Sequence, residues 1–167
     1  MKFSVNQKDL QQSLGFCQGV IEKRSTLPIL SNILLEAYNS KLKITATDLD
    51  LIFINEINDV EVIEEGKTTT TSSTLYDIIR KFSSGKKINF NLTTENKIQL
   101  ESEKSVFNLN CMSADEFPLM EENFTENEFV LKSKQFLKLL SKCKFSISTD
   151  ETRHYLSGCV LYTSPSP

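Results

Sequence analysis

Apolar residues follow two different periods along the first part of the chain, and each period predicts a different element. After a short strand at residues 2–5, apolar positions recur every three or four residues, which predicts a helix capped by Asn6. Its apolar face comprises Leu10, Leu14, Cys17 and Ile21. A second helix of the same period is expected to be capped by Ser72 or Ser73 and to end at residues 83–85; its apolar face comprises Leu75, Ile78, Ile79 and Phe82.

The remaining segments of this part alternate with the period of two that is typical of β-strands. We expect strands at residues 29–37, 41–45, 49–57, 60–63, 67–71, 87–92, 97–101 and 105–110. Asn39 and Ser40 form the turn of a hairpin, and the strand at 67–71 is expected at an edge of the sheet. Two helices against a long run of antiparallel strands predict an α+β fold.

Residues 128–162 repeat the plan of residues 2–36 without gaps, at an offset of 126 positions. Matched pairs include Phe3/Phe129, Lys8/Lys134, Leu14/Leu140, Cys17/Cys143, Ile21/Ile147, Thr26/Thr152 and Leu35/Leu161. Such a register predicts one complete domain and the start of a second copy. We therefore expect a fragment with a first domain at 1–118, an acidic linker at 119–127, and a truncated second domain at 128–162.

The second copy is expected to begin with a strand at residues 128–131, followed by a helix capped by Ser133. The inward side of that helix would comprise Phe136, Leu137, Leu140 and Cys143. Residues 163–167 contain two prolines where the first copy continues into a hairpin, so we expect this tail not to be native.

Composition restricts the class of protein. With 39% apolar and 25% charged residues, the chain is typical of a globular protein. It has neither an apolar run of membrane-spanning length nor a signal peptide, and we expect a cytoplasmic location. None of the four cysteines (Cys17, Cys111, Cys143 and Cys159) stands in a CxxC spacing, which favours buried free thiols over disulfides.

Motifs for catalysis or cofactor binding are missing from the sequence. His154 is the only histidine, which argues against a zinc site or a histidine-based triad. Asp48 and Asp50 in the TDLD segment lack a third ligand, so a structural role is favoured. The five glycines make no phosphate-binding loop. We expect no catalytic residue, no cofactor and no metal.

The basic residues suggest a different function. The net charge of −3 argues against nucleic acid, but a binding surface needs only a local excess of positive charge. Lys134, Lys138 and Lys142 are spaced four apart on the helix of the second copy, where like charges cost ~0.2–0.5 kcal/mol per pair. This row is either a solvated face or a surface for a polyanion. The pairs at 23–24 and 80–81 lie near helix ends, where cations also offset the helix dipole.

Four motifs resemble the bacterial DNA polymerase III β subunit, the family of sliding clamps. They are RSTLPILSN (24–32), TDLD (47–50), DEFP (115–118) and TRHYLSG (152–158), and the similarity extends over about residues 1–161. In that family each chain has three copies of one domain, and two chains close head-to-tail into a ring around duplex DNA. The resemblance implies the DNA-clamp fold, here as one full copy plus the start of a second.

The resemblance also implies roles for individual residues. Arg24 matches a basic DNA contact after the first helix, and Asp150, His154 and Tyr155 match the DNA-facing loop of the second domain. Phe107 matches an apolar residue of the dimer interface, and Leu156 matches a wall of the pocket that binds peptides of polymerases and the clamp loader. The chain departs from the family at four positions: Ser73 and Thr74 stand where some members are basic, Asp150 is negative, and His154 replaces a usual tyrosine.

The function implied is that of a processivity factor without its own catalytic site, which slides on duplex DNA as a homodimeric ring and tethers the replicative polymerase. Polar helix faces carrying Lys8, Gln11, Gln12, Lys134 and Lys138 would make weak, sequence-independent contacts. As a fragment, this chain is expected to be monomeric. The alternative is a non-enzymatic α+β protein-binding module whose basic helix docks an acidic partner.

Overall fold

The computed structural model describes residues 1–21, 27–93, 95–119, 130–150 and 152–162. The chain divides into two compact units, Met1–Glu121 (unit 1) and Glu122–Pro167 (unit 2). Within the ranges just given, no helix combines the length and the apolar character needed to cross a membrane.

In its described residues, unit 1 has two α-helices and nine strands. The helices are α1 (Gln7–Cys17) and α2 (Ser72–Ile79), and short 3₁₀ helices lie at Pro28–Ser31 and Ala114–Glu116. The strands are β1 (Lys2–Asn6), β2 (Asn32–Tyr38), β3 (Lys41–Thr47), β4 (Ile52–Ile57), β5 (Glu61–Glu64), β6 (Gly66–Thr71), β7 (Lys87–Leu92), β8 (Lys97–Ser102) and β9 (Ser105–Met112). This composition confirms the predicted α+β class.

The strands form one antiparallel sheet in the order β4-β3-β2-β6-β9-β8-β7-β1-β5. The prediction that residues 67–71 form an edge strand is wrong, because β6 pairs with β2 on one side and with β9 on the other. The threonines of β6 can be buried because their hydroxyl groups form hydrogen bonds with backbone carbonyls of β9. Thr69 donates to the carbonyl of Met112 at 3.0 Å, and Thr70 donates to that of Asn110 at 3.2 Å.

Local signals in the sequence locate the start of α1 and the first hairpin correctly, but both helices are shorter than predicted: α1 ends at Cys17, before Ile21, and α2 ends at Ile79, before residues 83–85. Asn6 is the N-cap of α1 and its side chain accepts a hydrogen bond from the Lys8 amide at 2.9 Å. Asn39 and Ser40 both have positive φ, at 45° and 58°, in the turn between β2 and β3. The N-cap of α2 was predicted wrongly: Thr71 holds that position without a side-chain hydrogen bond, and Ser72 is the first helical residue.

Two of the predicted strands begin later than expected. Residues 29–31 belong to the first 3₁₀ helix, which starts at a proline, and β2 begins only at residue 32. Residues 49–51 lie in a turn, and β4 begins at residue 52. In both places an apolar run without alternation suggests a strand, whereas side-chain capping and proline favour a turn.

The main core lies between the sheet and the two helices. The inward residues of both helices (Leu10, Leu14, Cys17, Leu75 and Ile79) are fully buried against the strands. On the strand side, the rings of Phe3 and Phe90 stack with centroids 4.7 Å apart. Each fully buried apolar side chain of this size stabilises the fold by about 1.5–3 kcal/mol.

A smaller core covers the opposite face of β2. Leu34 points away from the helices and packs with Ala114 and Phe117, which is only 4% exposed. The segment carrying Phe117 is further held by an ion pair of 2.7 Å between Lys67 Nζ and Asp115 Oδ1. Residues 114–117 therefore belong structurally to unit 1.

The described part of unit 2 contains α3 (Ser133–Cys143) and two 3₁₀ helices, Lys144–Ser146 and His154–Leu156. The bounds of α3 are those of α1 shifted by 126 positions, and the 3₁₀ helix at 154 starts at the same offset from the one at 28. The repeat predicted from the sequence therefore recurs in local structure.

Three details of the second copy were predicted wrongly. The N-cap of α3 is Lys132, without a side-chain hydrogen bond, and Ser133 is the first helical residue. Residues 130 and 131 are not in a strand, and the described part of unit 2 contains none. The expected inward side of α3 is not buried, since Leu137 is 65% and Leu140 is 38% exposed. A strand or an apolar helix face needs neighbouring elements, and none covers this helix within the described residues.

The cysteines are free, as predicted, but only one of them is buried. Cys17 lies in the core of unit 1, where burial raises the pKa of its thiol to about 12. Cys111 is half-buried, whereas Cys143 and Cys159 are exposed, contrary to the prediction.

Candidate nucleic-acid interface

The lysine row of α3 lies on the side of the helix opposite its apolar face. Residues four apart advance by about 40° around a helix, so Lys134, Lys138 and Lys142 form one stripe, and Phe136 and Leu140 lie across the axis from it. All three lysines are exposed, and no ion pair involves them within the described ranges. The stripe is therefore a row of positive charge that is free to meet an anion.

The loop after α3 is organised around Asp150. A hydrogen bond of 3.0 Å from the Ser148 amide to the Leu156 carbonyl closes this loop. Inside it, Asp150 Oδ1 accepts from the hydroxyl and the amide of Thr152 at 2.7 and 3.0 Å, and these bonds lower the pKa of Asp150. Arg153 Nε lies 3.5 Å from Asp150 Oδ2. The carboxylate thus supports the loop, and Arg153 offsets part of its negative charge.

The tip of this loop presents a cation and an aromatic ring to solvent. Tyr155 is 80% exposed, the Arg153 side chain is 61% exposed, and Leu156 is 42% exposed. His154 lies in the 3₁₀ helix, but its side chain is outside the described residues, as is the whole of Arg24. Arg153 was not among the residues singled out from the sequence, although it stands within the TRHYLSG motif two positions before the tyrosine.

In unit 1, a groove of about 450 Å³ runs between α1 and α2. Its walls include Lys8, Gln11, Gln12 and Tyr76. The amide of Gln7 fixes this surface, since its Nε2 donates to Gln11 Oε1 at 2.7 Å and to the Ile79 carbonyl at 2.9 Å. The groove offers mainly uncharged hydrogen-bonding groups, in contrast to the lysine row of α3.

Phe107 lies in a part of β9 that is paired with another described strand on one side only. β9 pairs with β8 over residues 105–110, whereas its pairing with β6 is confined to Cys111 and Met112. Phe107 is 39% exposed and meets Phe82 edge to face, with ring centroids 5.7 Å apart. The first six residues of β9 therefore leave one edge unpaired among the described residues, next to apolar side chains that a partner strand could cover.

The TDLD segment has the structural role predicted for it. Asp48 Oδ1 accepts hydrogen bonds from the amides of Asp50 and Leu51 at 3.0 and 2.7 Å. The Thr47 hydroxyl donates to the Leu51 carbonyl at 2.9 Å and holds the turn in which Leu49 has a φ of 81°. In the described ranges, no group of three or more potential ligands could hold a metal ion.

Comparison with known proteins places this geometry in a family. The family described as DNA polymerase III beta subunit, N-terminal domain, matches residues 1–121. The beta sliding clamp of Caulobacter vibrioides (strain NA1000 / CB15N) is 35% identical over 164 residues, which cover 98% of this chain and 44% of that relative. The beta sliding clamp of Escherichia coli (strain K12) is 32% identical over 163 residues, with the same coverage of both chains.

Solved structures agree with the sequence comparison. The crystal structure of the C. crescentus beta sliding clamp superposes with a TM-score of 0.88 at 35% identity, covering 95% of this chain and 42% of that one. The crystal structure of the DNA polymerase III subunit beta from Pseudomonas aeruginosa superposes with a TM-score of 0.87 at 28% identity, covering 95% of this chain and 43% of that one. This chain thus spans less than half the length of the relatives it matches. Because the family match covers most of the chain and the fold agrees, the protein belongs to the DNA polymerase III beta subunit family of sliding clamps.

Proposed function

We propose that this chain forms part of a processivity factor, a ring-shaped clamp that encircles duplex DNA, slides on it and tethers the replicative DNA polymerase. The observation that carries the proposal is the row of three exposed lysines on α3, in a chain that belongs to the sliding-clamp family. A ring retains DNA by enclosing it, so its contacts should be weak and independent of base sequence. Lysine–phosphate contacts have this character.

The proposed DNA surface combines two kinds of contact. In unit 2, Lys134, Lys138, Lys142 and Arg153 would supply charge. The amide-lined groove of unit 1 would supply uncharged hydrogen bonds, which depend less on salt.

Four further residues enter the DNA surface by resemblance. Tyr155 and His154 would contact the DNA beside Arg153, and Arg24 would contact it from unit 1. We assign Asp150 a positioning role, because its hydrogen bonds to Thr152 hold the loop that carries Arg153 and Tyr155.

Membership of the same family supports a proposal for the ring and its partners. We propose that Phe107 and the open edge of β9 form the dimer interface in the whole protein, and that Leu156 contributes to the pocket for peptides of the polymerase and the clamp loader. The chain would act in the cytoplasm without cofactor or catalytic residue of its own. Alone it should sediment as a monomer, because the family's interface joins the first domain to a partner's third domain.

A chimera tests the proposal. Residues 1–162 of this chain would replace the matching part of the Caulobacter clamp, and the product would be loaded onto nicked circular DNA by that relative's own loader. We expect retention on the circle and loss after linearisation, because only a ring is held by enclosure. A chimera that folds and dimerises but leaves circular DNA as fast as linear DNA would refute the clamp function and favour the protein-binding alternative.

A further inference from the structure

Unit 1 has a second groove, on the face of the sheet that points away from α1 and α2. It has a volume of about 280 Å³, and we refer to it as the β7 groove. It is lined by Lys2, Phe3, Ile63, Asn89, Phe90, Asn91, Gln99 and Glu101. Strands β1 and β7 form its floor at Phe3 and Phe90, whose rings stack in the core on the other side of the sheet. All of its lining residues belong to unit 1, so the first domain forms this groove alone.

Strand pairing places the polar side chains of the β7 groove in two rows across the strands. In one row, Asn91 of β7 is paired with Lys2 of β1 and with Gln99 of β8. In the other row, Asn89 is paired with Glu101 of β8. A cation therefore lies on one side of β7, an anion lies on the other side, and two asparagines lie between them.

The charges and amides of this groove are not used within the protein. Lys2, Glu101, Asn89 and Asn91 are all exposed. Among the described residues, neither charged group forms an ion pair and neither asparagine side chain forms a hydrogen bond. Two strand spacings and two residues along the strand separate the Cα atoms of Lys2 and Glu101 by about 12 Å. Each charge is thus available to a separate group of a ligand.

A bulge in β5 adds an apolar side chain to the cationic side of the groove. In the pairing of β1 with β5, Lys2 lies opposite Glu64 and Phe3 lies opposite Val62, so Ile63 is the extra residue. Bulges of this kind re-aim a side chain. Ile63 lines the groove and is 65% exposed, which provides an apolar contact beside the lysine.

The two asparagines match the repeat of an extended polypeptide. An asparagine amide offers a donor and an acceptor, as a backbone peptide unit does. Residues two apart on a strand are separated by about 6.6 Å, which is also the distance at which an extended peptide presents equivalent N–H and C=O groups. Asn89 and Asn91 can therefore hydrogen-bond successive equivalent units of a peptide that lies along β7.

We infer that the β7 groove binds an extended peptide segment of a partner protein, with an acidic side chain toward Lys2 and a basic side chain toward Glu101. Successive side chains of such a peptide point to opposite walls, so the two charged residues should be an odd number of positions apart. An apolar residue on the acidic side would cover Ile63. The site goes beyond the proposed clamp function, because the proposed DNA contacts of unit 1 lie on the helix side of the sheet.

Blocked heptapeptides provide the probe. In the sequence TKVTEVT the lysine and the glutamate are three apart, and the valine between them lies on the side of the glutamate. We expect this peptide to bind the intact chain with a Kd on the order of 1 mM, since a short peptide loses conformational freedom on binding. The like-charged peptides TKVTKVT and TEVTEVT should bind about two- to fivefold more weakly, because each loses one exposed ion pair. N-methylation of the backbone amides should also weaken binding, because it removes donors.

The assay is ¹⁵N NMR, in which the side-chain amide signals of Asn89 and Asn91 should shift as peptide is added. Protein variants then test the charges. Lys2→Glu should change the preference to TKVTKVT, and Glu101→Lys should change it to TEVTEVT. The control Lys81→Glu has the same net charge as Lys2→Glu but alters an exposed lysine just after α2, so it should keep the preference for the mixed peptide.

A second pair of variants tests the amides. Asn91→Ala should weaken binding of the mixed peptide, whereas Asn110→Ala, exposed on β9 outside the groove, should leave it unchanged. Equal binding of the three unmethylated peptides would overturn the inference. So would shifts confined to other parts of the chain, or no shift of the two asparagine side chains at several millimolar peptide, the result expected of a merely solvated polar face.

Discussion

Replacing the lysine row of α3 by glutamine tests the proposed DNA surface most directly. The triple variant Lys134→Gln, Lys138→Gln and Lys142→Gln removes three exposed charges that have no ion-pair partner in the described part of the chain. Glutamine is uncharged and has about the same helix propensity as lysine. The change should therefore reduce binding to DNA without unfolding α3.

The magnitudes can be worked out from the geometry. Each phosphate contact contributes ~0.9 to the slope of log K against log salt on duplex DNA, so three lost contacts should make the slope shallower by up to about 2.7. Removing two like-charge pairs at a spacing of four should stabilise the helix by ~0.2–0.5 kcal/mol each, or about 0.4–1 kcal/mol in total. DNA affinity and helix stability should thus change in opposite directions.

The assay is fluorescence anisotropy of a short duplex at several ionic strengths, with helicity followed by circular dichroism. A matched control changes Lys41, Lys67 and Lys87 to glutamine, since these lysines already pair with carboxylates at 2.9, 2.7 and 3.1 Å. Both variants remove three positive charges from a chain of net charge −3. Their difference therefore reports location rather than total charge.

Two results would refute the reasoning. An unchanged slope in the α3 variant would show that the row is a solvated face. An equally shallow slope in the control would show that overall charge, and not this surface, sets the salt dependence.

Four further predictions concern stability, thiol reactivity, pH dependence and domain organisation. Leu14→Ala should destabilise unit 1 by about 2–5 kcal/mol in urea unfolding, whereas the equivalent Leu140→Ala should cost less than about 1 kcal/mol, because Leu14 is fully buried and Leu140 is 38% exposed. Iodoacetamide at mildly alkaline pH should modify Cys143 in the native chain but not Cys17, whose pKa is about 12, as mass spectrometry would show. The hydrogen bond from Lys67 lowers the pKa of Asp115. This carboxylate therefore stabilises the fold above its unfolded pKa, and the contribution is lost as the pH falls through the lowered pKa. Asp115→Asn should reduce the melting temperature at neutral pH and have no effect in strong acid. Limited proteolysis should cut between the two units and leave the N-terminal one intact, because the buried core of the described residues lies in unit 1. Equal protection of both units would contradict this expectation.

Much of the local structure followed from neighbouring residues. The start of α1 was predicted because Asn6 can cap a helix within its own segment, and the hairpin because Asn39 and Ser40 tolerate positive φ. The repeat predicted a helix in unit 2 at the offset of 126, since the same spacing of apolar residues selects the same helical register. These features depend on contacts within a few positions of the chain.

The sequence alone also determined the α+β class, the family and the lysine row, because periodicity, motifs and spacing are readable along one chain. Tertiary structure alone decided that β6 is central, since its partner residues Cys111 and Met112 lie about forty positions away. Only the tertiary structure showed that Asp150 holds its loop by a hydrogen bond to Thr152, and that the Arg153 side chain is exposed. It alone separated the buried Leu14 from the exposed Leu140, although the two occupy the same place in the repeat. Burial depends on which elements pack against a side chain, and a periodic pattern defines only the face that would be buried.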